Sequence, residues 1–304
     1  MTGIIGAGFG LYGYFPAVVK TEGKAMLLDE AKSIFEGRPE LQKYKENILW
    51  SENIDSLLPL VDNLIVSVPP KIQEEYFNKI ISAENISKVI LEKPLASTPE
   101  TSHIFLSKLI DSKKSLRIGY TFLYTNWFRN FEKEIVENAN VEIAWTFKAH
   151  HYKHNIENWK RYNSEGGGVI RFFGIHLFPL LISFGFDEVI LSETLGLDSN
   201  DLQKWNATFI NQKGFECKLT VDSNCDKEIF SIKKLNNEKN LIDFVSPFET
   251  ANDAIQNEDN RVIILERLLR SLNNENQNNT MNSLYKNSND LWLKTEMVNI
   301  FTQL

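Results

Sequence analysis

The 304-residue sequence predicts an α/β protein. A doubly wound parallel sheet comes first, and an α+β domain with an open, mostly antiparallel sheet follows. Three observations carry this reading. A glycine-rich turn follows an apolar strand at the start of the chain. Short apolar runs then alternate with helical patterns to about residue 120. Beyond it, strand patterns succeed one another around a single apolar helix.

Gly3–Ile5 reads as a buried strand, followed by a helix from about Gly10 to Lys20. Ala25–Leu28, Asn47–Trp50 and Asn63–Val68 are the next strands, the last ended by Pro69 and Pro70. Helix Gln73–Ile81 places apolar residues at 76, 77, 80 and 81. Strand Lys88–Leu91 follows, and Thr98-Pro99-Glu100 opens a helix to about Ser112 with proline at its first position. Leu116–Tyr120 is the sixth strand. These elements define a first domain over 1–118 and leave 119–304 for the second.

In the second domain Val141–Lys148 alternates as a strand. A turn at Gly166–Gly168 leads into an apolar helix to about Phe184. Strands are expected at Val189–Leu195, Asn206–Ile210, Phe215–Val221 and Glu228–Lys234, and an amphipathic helix at Arg261–Leu272. The asparagine-rich stretch Asn273–Asn289 is expected to be a loop.

Composition narrows the function classes. The formal net charge is −7, with no conspicuous run of lysine or arginine, so nothing points to nucleic acid or an anionic membrane surface. No apolar run approaches the ~20 residues of a membrane span, and the N-terminus lacks the basic start of a secretion signal. Cys217 and Cys225 form neither a disulfide framework nor a metal spacing, as expected of reduced thiols in a cytoplasmic protein.

The chemistry begins at Gly3-Ile-Ile-Gly-Ala-Gly-Phe-Gly10. Gly6 allows a sharp turn from strand into helix, and Gly8 lets the backbone approach a pyrophosphate at a helix N-terminus. Leu11 stands where the strict pattern has its third glycine, leaving Gly10 or Gly13 for close packing. Asp29 ends the next strand, where a carboxylate binds ribose hydroxyls and repels a 2′-phosphate. This is a Rossmann signature favouring NAD; Lys32 and Arg38 keep NADP open. The plainer alternative is a glycine turn in another α/β fold, with Asp29 capping a helix.

Glu92 and Lys93 follow the fifth strand at the edge where such sheets bind ligands. There Lys93 could meet a nicotinamide and a substrate hydroxyl, or simply pair with Glu92. Gly166-Gly-Gly168 suggests close backbone approach or an anion-binding turn. His176 lies in an apolar stretch, where a histidine is ordinarily a core residue. His150, His151 and His154 have no carboxylate or cysteine at matching spacing, so a loop is expected there and no metal site.

In these motifs the sequence resembles the glucose–fructose oxidoreductase/inositol dehydrogenase/MocA family. Gly6-Ala-Gly8-Phe9-Gly10 with Pro16-Ala17, then Asp29, Glu92-Lys93-Pro94, and Gly166-Gly-Gly with Gly174-Ile-His176, occur in the family's order over residues 3 to 196. The resemblance implies NAD(P)-linked redox chemistry at a sugar or cyclitol carbon, and a homodimer or homotetramer through the C-terminal sheet. Lys93 matches the family lysine near the nicotinamide, and His176 the histidine proposed as acid/base. Pro69 and Pro70 match strand-ending prolines beside the cofactor. Trp159 and Arg161 match a segment near the substrate.

The expected catalytic residues are thus Lys93 and His176. Gly6, Gly8, Phe9, Gly10, Asp29, Ser67, Pro69, Glu92 and Lys93 are expected at the cofactor, and Tyr120, Trp159, Arg161 and His176 at a sugar, nucleotide-sugar or sugar-acid substrate. His176 or Lys93 would take the hydroxyl proton as hydride leaves the carbon, and reduction would run in reverse. Three positions depart from the family: Phe172 replaces a common aspartate, Tyr14 a frequent histidine, and Pro179 a frequent acidic residue. Phe172 motivates a rival reading, a non-catalytic NAD(P)-binding sensor or assembly protein. An epimerase with a transient redox step is a third.

Overall fold

A computed structural model of the chain describes residues 1–236, 239–248 and 258–304. Its described residues fall into two compact units. One holds 1–95, 104–124 and 258–282, the other 96–103, 125–236, 239–248 and 283–304. The first unit therefore includes a late return of the chain, whereas the sequence division at 118 put everything later in the second domain.

The first unit is built on a parallel sheet of six strands: β1 (Thr2–Ile5), β2 (Ala25–Leu28), β3 (Ile48–Ser51), β4 (Asn63–Val66), β5 (Lys88–Leu91) and β6 (Ser115–Ile118). Their order, β3-β2-β1-β4-β5-β6, is that of the Rossmann fold. All four residues of β1 and of β2 are buried, as continuous apolar runs require when both faces of a sheet are covered. Helices Phe15–Glu22 and Pro70–Ser82 follow β1 and β4. The return helix Val262–Ser271 buries Val262, Ile264, Leu265, Leu268 and Leu269, the stripe its periodicity predicts. Its last carbonyl is bound by the buried Arg117 of β6, a cation placed at the negative end of the helix dipole.

The second unit is a mixed sheet of seven strands. They are β7 (Val141–Lys148), β8 (Phe186–Gly196), β9 (Leu202–Asn211), β10 (Glu216–Asp222), β11 (Asn224–Lys234), β12 (Lys239–Phe244) and β13 (Asn299–Gln303). In the order β12-β11-β7-β10-β9-β8-β13, β7 with β10 and β8 with β13 pair parallel, and the other neighbours antiparallel. Along β7, Val141, Ile143 and Trp145 are buried while Glu142, Ala144 and Thr146 are less so, the alternation of a sheet covered on one face.

Three expectations are corrected. The asparagine-rich loop is mostly helix, Asn278–Met297. Asparagine is a poor helix former, but Tyr285, Ser288, Asn289, Leu291, Trp292 and Thr295 give this segment a buried stripe, and packing outweighs propensity. The helix expected from Gly10 begins as a π-helical turn, Gly10–Tyr14, before helix Phe15–Glu22. The apolar helix ending near Phe184 is likewise a π-helical turn Val169–Phe173, a 3₁₀ turn Gly174–His176 and a helix Phe178–Ser183. In both places the α-helix restarts with a proline, Pro16 or Pro179, in its first turn. Proline has no amide hydrogen to continue a preceding helix but is well suited to beginning one. Strands β12 and β13 have no counterpart in the sequence reading.

Among the described residues no helix is long and apolar enough to cross a membrane, and no three His, Cys, Asp or Glu side chains are grouped to hold a metal ion.

Candidate active site

In the first unit the ends of four strands are aligned. Ile5 pairs with Val66, Val66 with Leu91, and Leu91 with Ile118. The next residues, Gly6, Ser67, Glu92 and Gly119, form one row along the carboxyl edge. Three amides continue the ladder across that row. Ser67 N–H donates to Ile5 at 2.8 Å, Glu92 N–H to Val66 at 2.9 Å, and Gly119 N–H to Leu91 at 2.9 Å. Gly6 has φ +123°, and a Cβ there would lie 2.1 Å from the Ser67 carbonyl oxygen. A Cβ on Gly119 would lie 2.3 Å from Glu92 Oε1. The two glycines make room for the Ser67 backbone and the Glu92 carboxylate.

Gly8 differs from both, because nothing lies within 4 Å of the position its Cβ would take. Open space over a backbone at the head of a helical turn fits the approach of a dinucleotide's pyrophosphate. The Gly8 carbonyl accepts from the amides of Leu11, 2.9 Å, and Tyr12, 3.2 Å, which fixes the turn. A Cβ on Gly10 would sit 3.2 Å from Ile4 Cγ2 and 3.4 Å from Ser67 Cβ, so Gly10 supplies the close helix-to-strand packing. Gly13 instead passes the Phe9 ring, with a Cβ position 2.4 Å from it.

The Phe9 ring has the Arg261 guanidinium 4.2 Å from its centroid, with Tyr12 and Tyr14 at 5.5 and 5.4 Å. Arg261 is held by a two-pronged contact with Asp259, at 2.9 and 2.7 Å. Asp29 is the first residue after β2, and its Oδ1 lies 2.9 Å from Lys32 Nζ. The second cation considered for NADP, Arg38, lies over the Tyr12 ring and pairs with Glu40.

Glu92 and Lys93 are half-buried beyond β5. Glu92 Oε1 accepts from the Tyr14 hydroxyl at 2.6 Å, and Oε2 from the Lys93 amide at 3.2 Å. Burial pushes the Glu92 carboxyl above its ordinary range, against the opposing pull of the Lys93 charge and the Tyr14 hydrogen bond. Burial, with Glu92 nearby, raises the Tyr14 phenol well above its usual value. The Lys93–Pro94 peptide is cis. Pro69 stands at the head of helix Pro70–Ser82, its carbonyl accepting from the Gln73 amide at 3.0 Å. Tyr120 is buried just after β6.

The remaining expected residues lie in the second unit. The three glycines lie against their own chain: Gly167 would place a Cβ 2.1 Å from the Trp159 carbonyl oxygen. The Gly168 amide donates to Lys160 at 2.9 Å. Of the two readings for this turn, the structure shows close backbone approach. Trp159 meets Phe172 edge to face, with centroids 5.2 Å apart. The position of the missing aspartate is thus part of an aromatic contact. Arg161 is engaged by the buried Asp201, its Nε and Nη2 each 2.7 Å from Oδ2, and Asp201 also accepts the Tyr152 hydroxyl at 2.6 Å. His176 is buried, with the rings of Trp145 and Phe248 edge to face at 6.4 and 6.1 Å. The His150 and His154 rings lie 4.4 Å apart with their planes tilted by 48°, while His151 is buried against Tyr152.

Residues 1–120 match the model of the GFO/IDH/MocA family, described as an oxidoreductase family with an NAD-binding Rossmann fold. Over these residues the chain carries the NAD-binding Rossmann fold of that family. It is an oxidoreductase that uses NAD or NADP. No curated protein matches it in sequence. Solved structures share the fold over the whole length. One is a 3-ketoreductase from Actinomadura kijaniata in complex with NADP and TDP-benzene: 12% identity, TM-score 0.72, covering 100% of this chain and 98% of that one. Another is the WlbA dehydrogenase from Bordetella pertussis with NADH and UDP-GlcNAcA: 12% identity, TM-score 0.71, covering 97% and 95%. A third is a UDP-N-acetylglucosamine 3-dehydrogenase from Acidithiobacillus ferrooxidans: 14% identity, TM-score 0.66, covering 98% and 97%.

Tyr14, Gln73 and Arg261 each contact an expected site residue or its backbone, and sequence reasoning assigned none of them to the site. Tyr14 came closest, as the residue standing where the family frequently has a histidine.

Proposed function

We propose that the protein transfers a hydride between a nicotinamide dinucleotide and a hydroxyl or keto carbon of a sugar, nucleotide-sugar or sugar-acid derivative. The supporting observation is the row at the carboxyl edge of the first sheet. It sets the Gly6–Gly8 turn, Ser67 and the Glu92–Lys93 pair on adjacent strand ends. The fold shared with sugar-nucleotide oxidoreductases supports the substrate class.

The cofactor, when bound, supplies or takes the hydride. The backbone at Gly6, Gly8 and Gly10 binds its pyrophosphate, with Phe9, Ser67 and Pro69 lining its path. Asp29 binds a ribose hydroxyl, and its ion pair with Lys32 leaves a 2′-phosphate less strongly repelled than a bare carboxylate would. Lys93 Nζ holds the reacting oxygen of the substrate, and Glu92 steadies the ammonium. A ring nitrogen of His176 takes the hydroxyl proton in oxidation and returns it in reduction, help worth roughly 10²–10⁴-fold in rate. Tyr120, Trp159 and Arg161 shape the substrate site, Arg161 through its bond to Asp201. The exposed Ile190 and Leu191 of β8 and Ile300 and Phe301 of β13 support association of copies through the second sheet.

The test is a fluorescence titration with NADH and NADPH, followed by a screen of sugars, sugar acids and nucleotide-sugars. Lys93→Met is expected to bind NADH and lose turnover, whereas Gly8→Val is expected to lose NADH binding. Near-normal turnover in Lys93→Met refutes the assignment of Lys93.

A further inference from the structure

The backbone that carries Lys93 is held by one side chain from another element. Gln73, in the first turn of helix Pro70–Ser82, is fully buried. Its Nε2 lies 2.8 Å from the Leu95 carbonyl oxygen, 3.1 Å from that of Glu92 and 3.3 Å from that of Pro94. Two amide hydrogens thus serve three acceptors, on both sides of Lys93. The orientation of the amide is settled by these neighbours, since a flipped amide would set oxygen against three oxygens. Its Oε1 is buried and accepts no hydrogen bond among the described residues. An unsatisfied buried acceptor is costly, and an apolar side chain of the same length would avoid that cost. The amide is therefore of use for its donors.

From this geometry we infer that Gln73 is a positioning residue: its amide fixes the Glu92–Leu95 backbone and thereby the direction from which Lys93 enters the site. The element it holds is otherwise a connection between β5 and helix Pro99–Asp111, in which a loop would sample several shapes. At the two ends of this connection the Glu92 amide donates to the Val66 carbonyl and the Ala96 amide to Ser102 Oγ, and between them the Lys93 amide donates to the adjacent Glu92 side chain. Gln73 ties the connection to the helix that follows β4. A catalytic lysine misplaced by about 1 Å loses rate on the order of 10²-fold, so the anchor acts on turnover without touching substrate.

The inference rests on the proposed role of Lys93 only for its effect on turnover, and its test separates the two. Hydrogen exchange at the Lys93 and Leu95 amides is measured in wild type and in Gln73→Met, which keeps the length of the side chain and removes its donors. Exchange is expected to speed up about tenfold or more at both amides, while amides of β1 and β4 keep their rates. The NADH dissociation constant is expected to change less than about threefold, because the Gly6–Gly10 turn is untouched, and kcat on a substrate found in the screen to fall with little change in KM. Unchanged exchange at Lys93 and Leu95 overturns the inference, whatever the activity. Faster exchange together with full activity in Lys93→Met keeps Gln73 as the anchor and removes Lys93 from catalysis. Should Gln73→Met fail to fold, Gln73→Asn is read by the same measurement. It keeps the amide on an arm one carbon shorter, and wild-type exchange in that variant likewise overturns the inference.

Discussion

The Tyr14 hydroxyl donates to Glu92 Oε1 at 2.6 Å, across 78 residues of sequence. It ties the turn that follows β1 to the residue that follows β5. The tyrosine is fully buried and Glu92 half-buried, so water replaces this bond poorly. Tyr14→Phe leaves the carboxylate with one donor fewer in a site that already disfavours its charge. The expected loss is about 1.5–3 kcal/mol of folding stability, the range for a hydrogen bond to a charged group. Denaturant unfolding at neutral pH measures it. The deficit should shrink as the pH is lowered and the carboxyl is protonated, since the bond is strongest to the ionised form.

Gly6 and Gly8 stand two residues apart and should respond in opposite ways to the same substitution. Gly6→Ala combines φ +123° with a Cβ 2.1 Å from the Ser67 carbonyl oxygen. It is expected to destabilise the protein alone by roughly 1–3 kcal/mol, the usual cost of such backbone strain, or more where the clash cannot relax. Gly8→Ala puts its methyl into open space, so stability should stay within about ±0.5 kcal/mol. Its effect should appear in cofactor affinity, with NADH binding weakened at least about tenfold by a group occupying the pyrophosphate's approach. Thermal unfolding with and without NADH separates the two. A Gly8→Ala variant with wild-type NADH affinity would remove Gly8 from the cofactor site.

Which of these features the sequence discloses depends on the range of the interaction. β1, β2, β4 and β5 are short apolar runs buried on both faces, and such runs announce themselves without knowledge of their neighbours. β7 is equally plain, because alternation needs only one covered face. Gly6, Gly10 and Asp29 belong to a local motif whose spacing is set by the strand and helix around it. In contrast, β13 has Ile300 and Phe301 exposed at a sheet edge, so its pattern carries no sign of burial. The helix Asn278–Met297 hides behind asparagines that face solvent or, like Asn289, satisfy a distant carbonyl, that of Pro99. Tyr14 with Glu92, and Gln73 with the loop around Lys93, are pairs made by the fold. Tyr14 and Gln73 each read alone as ordinary helical positions, and only the register of β1, β4 and β5 brings them to their partners.

His151 should make the protein sensitive to mild acid. Its imidazole is lowered to about 4, chiefly by burial and next by the positive charge of Arg161, with Asp201 opposing. Because the folded value lies below the ordinary 6.5, the unfolded chain binds the proton more readily between pH 6.5 and 4. The stabilising contribution is complete above pH 6.5 and is lost as the pH falls towards 4. At pH 5 the loss amounts to about 2 kcal/mol. Thermal unfolding between pH 7 and 5 should therefore show a steeper fall for wild type than for His151→Gln, and parallel curves would contradict a neutral buried His151.

Arg171 is expected to be the most damaging surface-remote charge to remove from the second unit. It leaves the π-helical turn that precedes His176 and reaches four acceptors. Its Nε and Nη2 meet Glu296 Oε1 and Oε2 at 2.9 and 2.5 Å, and its Nη1 donates to the carbonyls of Ser97 at 2.8 Å and Asn163 at 3.0 Å. Glu296 is in turn held by the Trp292 indole at 2.7 Å. The network joins the turn that precedes His176 to the C-terminal helix and to the Trp159–Gly168 segment. Among the described residues, Arg171→Met leaves Glu296 with only the indole as donor and two carbonyls without their guanidinium. Breaking a largely buried pair in this way costs about 3–5 kcal/mol. Glu296→Gln keeps the indole's acceptor and the shape of the contact, so it should cost less than Arg171→Met. Equal losses in the two variants would mean that the carbonyl bonds to Ser97 and Asn163 contribute little, and that the ion pair alone holds the turn.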